Sequence, residues 1–190
     1  MTRFARADSI ILAILAALML ATRPHPLDQY FHVPDTAWAS FFVLGYFVRN
    51  KLAFPALFGL AFGIDVVVIY LLGGSGFCFT PAYGMLLPAY GTMWLAGRFA
   101  ARKLEPKAGS LPGFAILATA AAFVAHGFSS GGYYLLSGRF DHPTLAEFAG
   151  RVEQYFPGNL LSMWVWLGIA AAGRMVWTMA GGQLPSAARK

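Results

Sequence analysis

Apolar residues run through this chain in long blocks, with charged residues gathered in short clusters between them. A membrane-spanning helix needs roughly 20 mostly apolar residues, fewer where the bilayer is thin or a helix end is snorkelled. Six blocks meet this: 9–22, 36–48, 53–72, 81–101, 111–136 and 157–180. The second is short and reads as a tilted or partly re-entrant segment. The pattern predicts an all-α integral membrane protein of six transmembrane helices, one membrane domain over 1–190, with no internal repeat.

Local signals mark the ends of these blocks. Pro55 and Pro81 lie near starts, where the missing N–H of proline costs nothing. Asp35 or Thr36 is positioned to cap the second span, Thr80 the fourth and Asn159 the sixth. Pro88 lies inside the fourth span and predicts a kink. The opening segment has the outline of a signal peptide, two arginines before an apolar core, but Asp8 directly ahead of the core is out of keeping. It is read as a retained first span.

Charge then orients the bundle. With an even number of spans, Arg3, Arg6, Arg49, Lys51, Arg98, Arg102, Lys103, Lys107, Arg174, Arg189 and Lys190 fall on the side of the termini. Only Arg23, Arg139 and Arg151 fall on the other. Positive charge accumulates on the cytoplasmic side of membrane proteins, so both termini are expected there. A five-span arrangement would break this separation, which supports the short second span. The outer side then holds the segments 23–35 and 137–156 and the turn "GGSGFCFTPAYG" over 73–84. The two longer segments, rich in Tyr, Phe, His and Arg, are expected either to cover an outward-facing pocket or merely to join helices.

Composition agrees with a membrane class. Hydrophobic residues make up 58% and charged residues 12%, against about a quarter charged in a soluble domain. The mean hydropathy is +0.59. A formal charge of +6 would suit a nucleic-acid binder, but its one-sided distribution accounts for it and points to no nucleic-acid partner. The chain has no phosphate-binding G-x-x-x-x-G-K-[ST] loop and no H-E-x-x-H zinc motif. With a single cysteine, a dithiol cycle within the chain is excluded.

Few residues remain to carry chemistry. Asp65 is the one acidic residue deep in a span, about eight residues, or roughly 12 Å, below the outer end of the third helix. A charge there faces a cavity or a partner, so Asp65 is either a wall of the pocket or one half of an internal ion pair. Cys78 precedes the Thr80–Pro81 helix start, whose dipole favours thiolate, and thiolate is a soft ligand for a transition metal. Glycines 73, 74 and 76 would let a bulky ligand approach the backbone; the alternative is an inert apolar cysteine. Tyr83 faces the same pocket or anchors at the interface. Arg151 could bind an anion, pair with Asp65, support a thiolate at Cys78, or be solvated. His126, mid-span, is expected to bond a neighbouring helix. Ala13, Ala17 and Ala21 form a small-residue stripe for packing within the bundle or for docking of another membrane subunit.

Six short helices, the Ala-x-x-x-Ala stripe, outer segments over a cavity and the absence of an ATPase motif resemble the S components of energy-coupling-factor (ECF) transporters. The lone cysteine in "GGSGFCFTPAYG" is similar to that of the BtuM family, the cobalamin-specific S components of Gram-negative bacteria. The resemblance covers essentially the whole chain. It implies an S-component-like bundle in the bacterial inner membrane that takes up cobalamin (vitamin B12), with Cys78 as axial ligand to cobalt and the corrinoid bound base-off. Asp65, Tyr83 and Arg151 would line the same site and assist ligand exchange, including thiol-dependent loss of cyanide from cyanocobalamin. Uptake would be solitary or would use an ECF energising module docked on Ala13, Ala17 and Ala21. The alternatives are an S component for another vitamin and a ligand-free structural subunit.

Overall fold

The computed structural model describes residues 3–23, 34–74, 76, 79–105 and 107–181. Among them the chain is all helical, with no strand. Helix α1 covers Arg3–Thr22, α2 Ala37–Phe47, α3 Ala53–Tyr70 and α4 Leu86–Lys103. Helix α5 runs over Leu111–Leu136, and α6 over Leu145–Met179. A 3₁₀ turn, Pro81–Met85, leads into α4.

Three of these helices, α3, α5 and α6, are long and apolar enough to cross a membrane. The others differ from the sequence expectation in instructive ways. The second element has 11 residues, about 16 Å of helix against a hydrocarbon thickness of roughly 30 Å. It is nonetheless the centre of the fold: Phe41, Phe42 and Leu44 on it are fully buried. Its N-terminus is capped by Asp35, whose Oδ1 accepts from the Ala37 N–H at 2.9 Å. The entering chain is tied to α6, where Trp166 Nε1 donates to the Pro34 carbonyl at 2.8 Å and Ser162 Oγ to the Asp35 carbonyl at 2.9 Å.

Helices α2 and α4 cross at two glycines. A Cβ on Gly45 would overlap the Trp94 carbonyl oxygen, and one on Gly97 the Phe42 carbonyl oxygen. Each helix therefore lays backbone directly on the backbone of the other. Around this contact Phe41 stacks on Tyr90 at 4.5 Å, and Phe54 packs on Trp94 at 5.2 Å.

The last helix begins earlier than the apolar block suggests. Pro157, read as the start of the sixth span, lies inside α6, and the helix extends back to Leu145. Most of the 137–156 outer segment is thus helix rather than loop. Thr144 is the cap: its hydroxyl accepts from the Glu147 N–H at 3.2 Å. Asn159, expected to cap, is mid-helix and turns its amide toward His126 Nδ1 at 3.4 Å. The 35 residues of α6 measure about 52 Å, longer than a bilayer core of roughly 30 Å.

The exterior is apolar. Ile14, Leu20, Leu95, Ile116, Phe123, Leu161 and Ile169 are all more than half exposed, as expected where lipid replaces water at the surface. Ala13, Ala17 and Ala21 share this outer side of α1, while Leu15 and Met19 face the core. The alanine stripe therefore faces away from the described core.

Candidate functional site

Arg23 follows the last residue of α1, and its N–H still bonds the Met19 carbonyl at 3.0 Å, so it continues the helical path. The preceding Thr22 is pinned by its hydroxyl to the Leu18 carbonyl at 2.9 Å and meets the Thr36 hydroxyl at 2.9 Å. This turn sends the Arg23 side chain inward, where it is buried. Asp65 comes to meet it from α3.

The two form a bidentate ion pair. Arg23 Nε donates to Asp65 Oδ1 at 2.6 Å and Nη2 to Oδ2 at 2.7 Å. Nη1 donates to the Tyr90 hydroxyl at 3.0 Å, and the Tyr83 hydroxyl donates to Asp65 Oδ2 at 2.6 Å. Four side chains from α1, α3, α4 and the turn before α4 thus close one polar network. Fork-to-fork geometry with a carboxylate is the strong form of such a contact. Side-chain exposure is 9% for Arg23 and 20% for Asp65. Burial opposes the charge on Arg23, but Tyr90, Asp65 and Asp35 together outweigh it and hold the guanidinium protonated above its ordinary range.

Asp65 is therefore satisfied by Arg23 and Tyr83, and not by Arg151. It also lies nearer the helix end than its sequence position suggests. Helix α3 stops at Tyr70, five residues beyond Asp65, or about 7.5 Å. Helix α3 gives way to a turn in which Gly73 takes a φ of +68°. The Gly74 N–H returns to the Val68 carbonyl at 2.8 Å, and a Cβ there would lie 2.6 Å from Val68 Cγ1. Both glycines are needed by the path of the chain itself.

The fourth helical segment starts at Pro81, with Thr80 extended before it. It starts as a 3₁₀ turn, and the α-helix begins only at Leu86. Pro88 occupies the first turn of α4 and accounts for this: without an N–H it cannot bond the Gly84 carbonyl. It marks the change of helix type rather than a mid-span kink. The α-helix and its aligned peptide dipoles accordingly begin at Leu86 rather than at Pro81. Thr80 makes no cap bond, and its hydroxyl is buried with no partner among the described residues.

Cys78 itself lies outside the described residues. Its described neighbour Phe79 packs on Tyr83 at 4.9 Å and on Phe62 at 6.0 Å, and Phe62 meets Tyr83 at 5.7 Å. The Tyr83 ring is thus held by aromatic contacts and its hydroxyl by Asp65.

Arg151 lies in a separate aromatic nest at the same end of the bundle. Its guanidinium sits 4.7 Å from the Phe140 ring, 5.5 Å from Tyr155 and 5.8 Å from Tyr134. Tyr134 also donates to Glu147 Oε2 at 2.7 Å and accepts from the Thr144 N–H at 2.8 Å. This nest adjoins the network through the last turn of α5, which packs on the Pro81–Met85 turn.

His126 bonds across helices as expected. Its Nδ1 faces Asn159 of α6 and Ser130 Oγ at 3.3 Å, and its ring packs against Phe156 at 5.4 Å. It stands just before a π-helical turn, Gly127–Gly131.

Sequence reasoning missed Arg23 and Tyr90. The signal for Arg23 was present, since a lone acid in an apolar helix calls for a cation and the side expected to be outer offers three arginines. For Thr144 the signal was the Thr-x-x-Glu pattern over 144–147. No protein-family model matches this chain, and no curated protein matches it.

Proposed function

We propose that this protein is a six-span transporter of the bacterial inner membrane, with cytoplasmic termini, that takes up cobalamin. The Tyr83–Asp65 hydrogen bond at 2.6 Å is the observation that supports the reading most directly. It joins two of the residues expected at the site beside the turn that carries Cys78. In this reading the Cys78 thiolate donates a lone pair to cobalt, and the axial base or cyanide leaves with its own electron pair. Arg23 holds Asp65 in place through its two hydrogen bonds, and Asp65 fixes the Tyr83 hydroxyl at the pocket wall. Arg151 contributes a positive charge from its aromatic nest.

The exposed stripe of Ala13, Ala17 and Ala21 supports a variant in which an ECF energising module docks on α1. Solitary uptake would need only downhill entry and trapping inside the cell.

The test is the absorption spectrum of purified protein with cobinamide and with cyanocobalamin. A shifted corrinoid spectrum that is lost in Cys78→Ala is the expected result. An identical spectrum and affinity in Cys78→Ala sinks the ligation. A different co-purified vitamin, identified by mass spectrometry, would replace cobalamin as the substrate.

A further inference from the structure

We propose that the end of the bundle opposite the Cys78 turn holds a binding site for one anionic phospholipid. A cavity of about 520 Å³ opens there between the C-terminal end of α2, the start of α5 and the C-terminal half of α6. This lies within the range of about 300–1,000 Å³ usual for ligand sites. Its floor is apolar, formed by Phe42, Phe114 and Leu167, with Phe42 and Phe114 edge to face at 5.2 Å.

The rim is of the opposite character. Arg174 is held over the Phe47 ring at 5.5 Å and pairs with no carboxylate among the described residues. Lys107 stands across the opening, joined to Glu105 at 2.8 Å by an ion pair in which both side chains are about two-thirds exposed. Lys51, Lys103 and Arg102 lie at the same end of the helices. An occupant must therefore be apolar along its length and anionic at one end. Free phosphate would leave the apolar floor wet, and a zwitterionic lipid would bring no net charge for Arg174. The cavity also opens beside α6, whose outer face carries Met175 and Val176, both more than 60% exposed, so an acyl chain could enter from the side. Anionic headgroups on the cytoplasmic leaflet attract basic side chains at this level. The assignment of leaflet rests on the membrane orientation proposed above.

Native mass spectrometry of the full chain in detergent, titrated with dioleoylphosphatidylglycerol or dioleoylphosphatidylcholine, tests this. One phosphatidylglycerol should be retained in preference to phosphatidylcholine. Arg174→Gln should weaken phosphatidylglycerol binding about fivefold, the equivalent of roughly 1 kcal/mol per basic group at the surface. Arg174→Lys should keep the preference. Ala170→Phe, which fills the cavity, should weaken both lipids. Lys51→Gln, at the same end but outside the cavity, should change neither. Equal losses in Lys51→Gln and Arg174→Gln would mean diffuse attraction and overturn the site. So would unchanged binding in both Arg174→Gln and Ala170→Phe, or a dimer that forms at the expense of bound lipid. The cobinamide spectrum of the same preparation reports on the other end of the bundle, so either reading can fail alone.

Discussion

Arg23 grips Asp65 with two nitrogens, Nε on Oδ1 at 2.6 Å and Nη2 on Oδ2 at 2.7 Å, and so fastens the end of α1 to α3. The pair shares its hydrogen bonds with Tyr83 and Tyr90, which brings α4 into the same joint.

Removing one half of this pair leaves the other charge buried and unmatched. Arg23→Ala or Asp65→Ala should each destabilise the protein by about 3–5 kcal/mol. The double variant should be no worse than either single one. Thermal unfolding of the four proteins in one detergent measures the coupling, and simple additivity of the two losses would contradict the pairing.

Tyr83 separates its two attachments cleanly. Tyr83→Phe keeps the ring against Phe62 and Phe79 and loses only the bond to a charged acceptor, a cost of about 1.5–3 kcal/mol. Tyr83→Ala loses both and should cost about 3–5 kcal/mol. Equal melting temperatures for the two variants would show that the aromatic contacts hold nothing.

The α2–α4 crossing leaves no room for a side chain at either glycine. Gly97→Ala and Gly45→Ala should each cost at least the 1–3 kcal/mol typical of overpacking, because the obstructing atoms are backbone and cannot swing aside. Gly91→Ala, where the nearest obstruction is Phe54 Cζ at 4.0 Å, should be neutral or stabilising by about 0.5–1 kcal/mol. Size-exclusion profiles and melting temperatures of the three variants provide the comparison.

Among the described residues, Arg151 and Asp65 have no common bonding partner. Losses of stability in Arg151→Gln and Asp65→Asn should therefore add in the double variant to within about 0.5 kcal/mol. For Arg151→Gln alone, loss of its cation–ring contacts should cost on the order of 1 kcal/mol. A coupling well above that limit, read from the same unfolding measurement, would place both residues in one network. In the proposed transport reading, the pair would then act on the corrinoid together rather than from separate walls.

Much of the candidate site was legible before any tertiary structure. Asp65 stood out because an acid in an apolar helix is costly unless matched, and Tyr83 because it follows the Thr80–Pro81 start. The partner of Asp65 was not legible. Arg23 and Arg151 are both expected on the same side of the bundle, and sequence separation does not say which one folds inward. The start of α6 was missed for a different reason. Hydropathy registers the part of a helix that suits lipid, and residues 145–156 form a polar helical extension that only the Thr144 cap signals.

Sequence alone determined that this chain is helical and that it carries segments long and apolar enough to cross a membrane. Block hydropathy and charge placement are properties of composition along the chain and need no folding to be read. It also determined which side chains are costly enough to require a partner. Only the tertiary structure decided what those partners are, and that the shortest helix is the central one. Both depend on contacts between residues far apart in the chain: Gly45 against Trp94, Gly97 against Phe42, and Arg23 against Asp65.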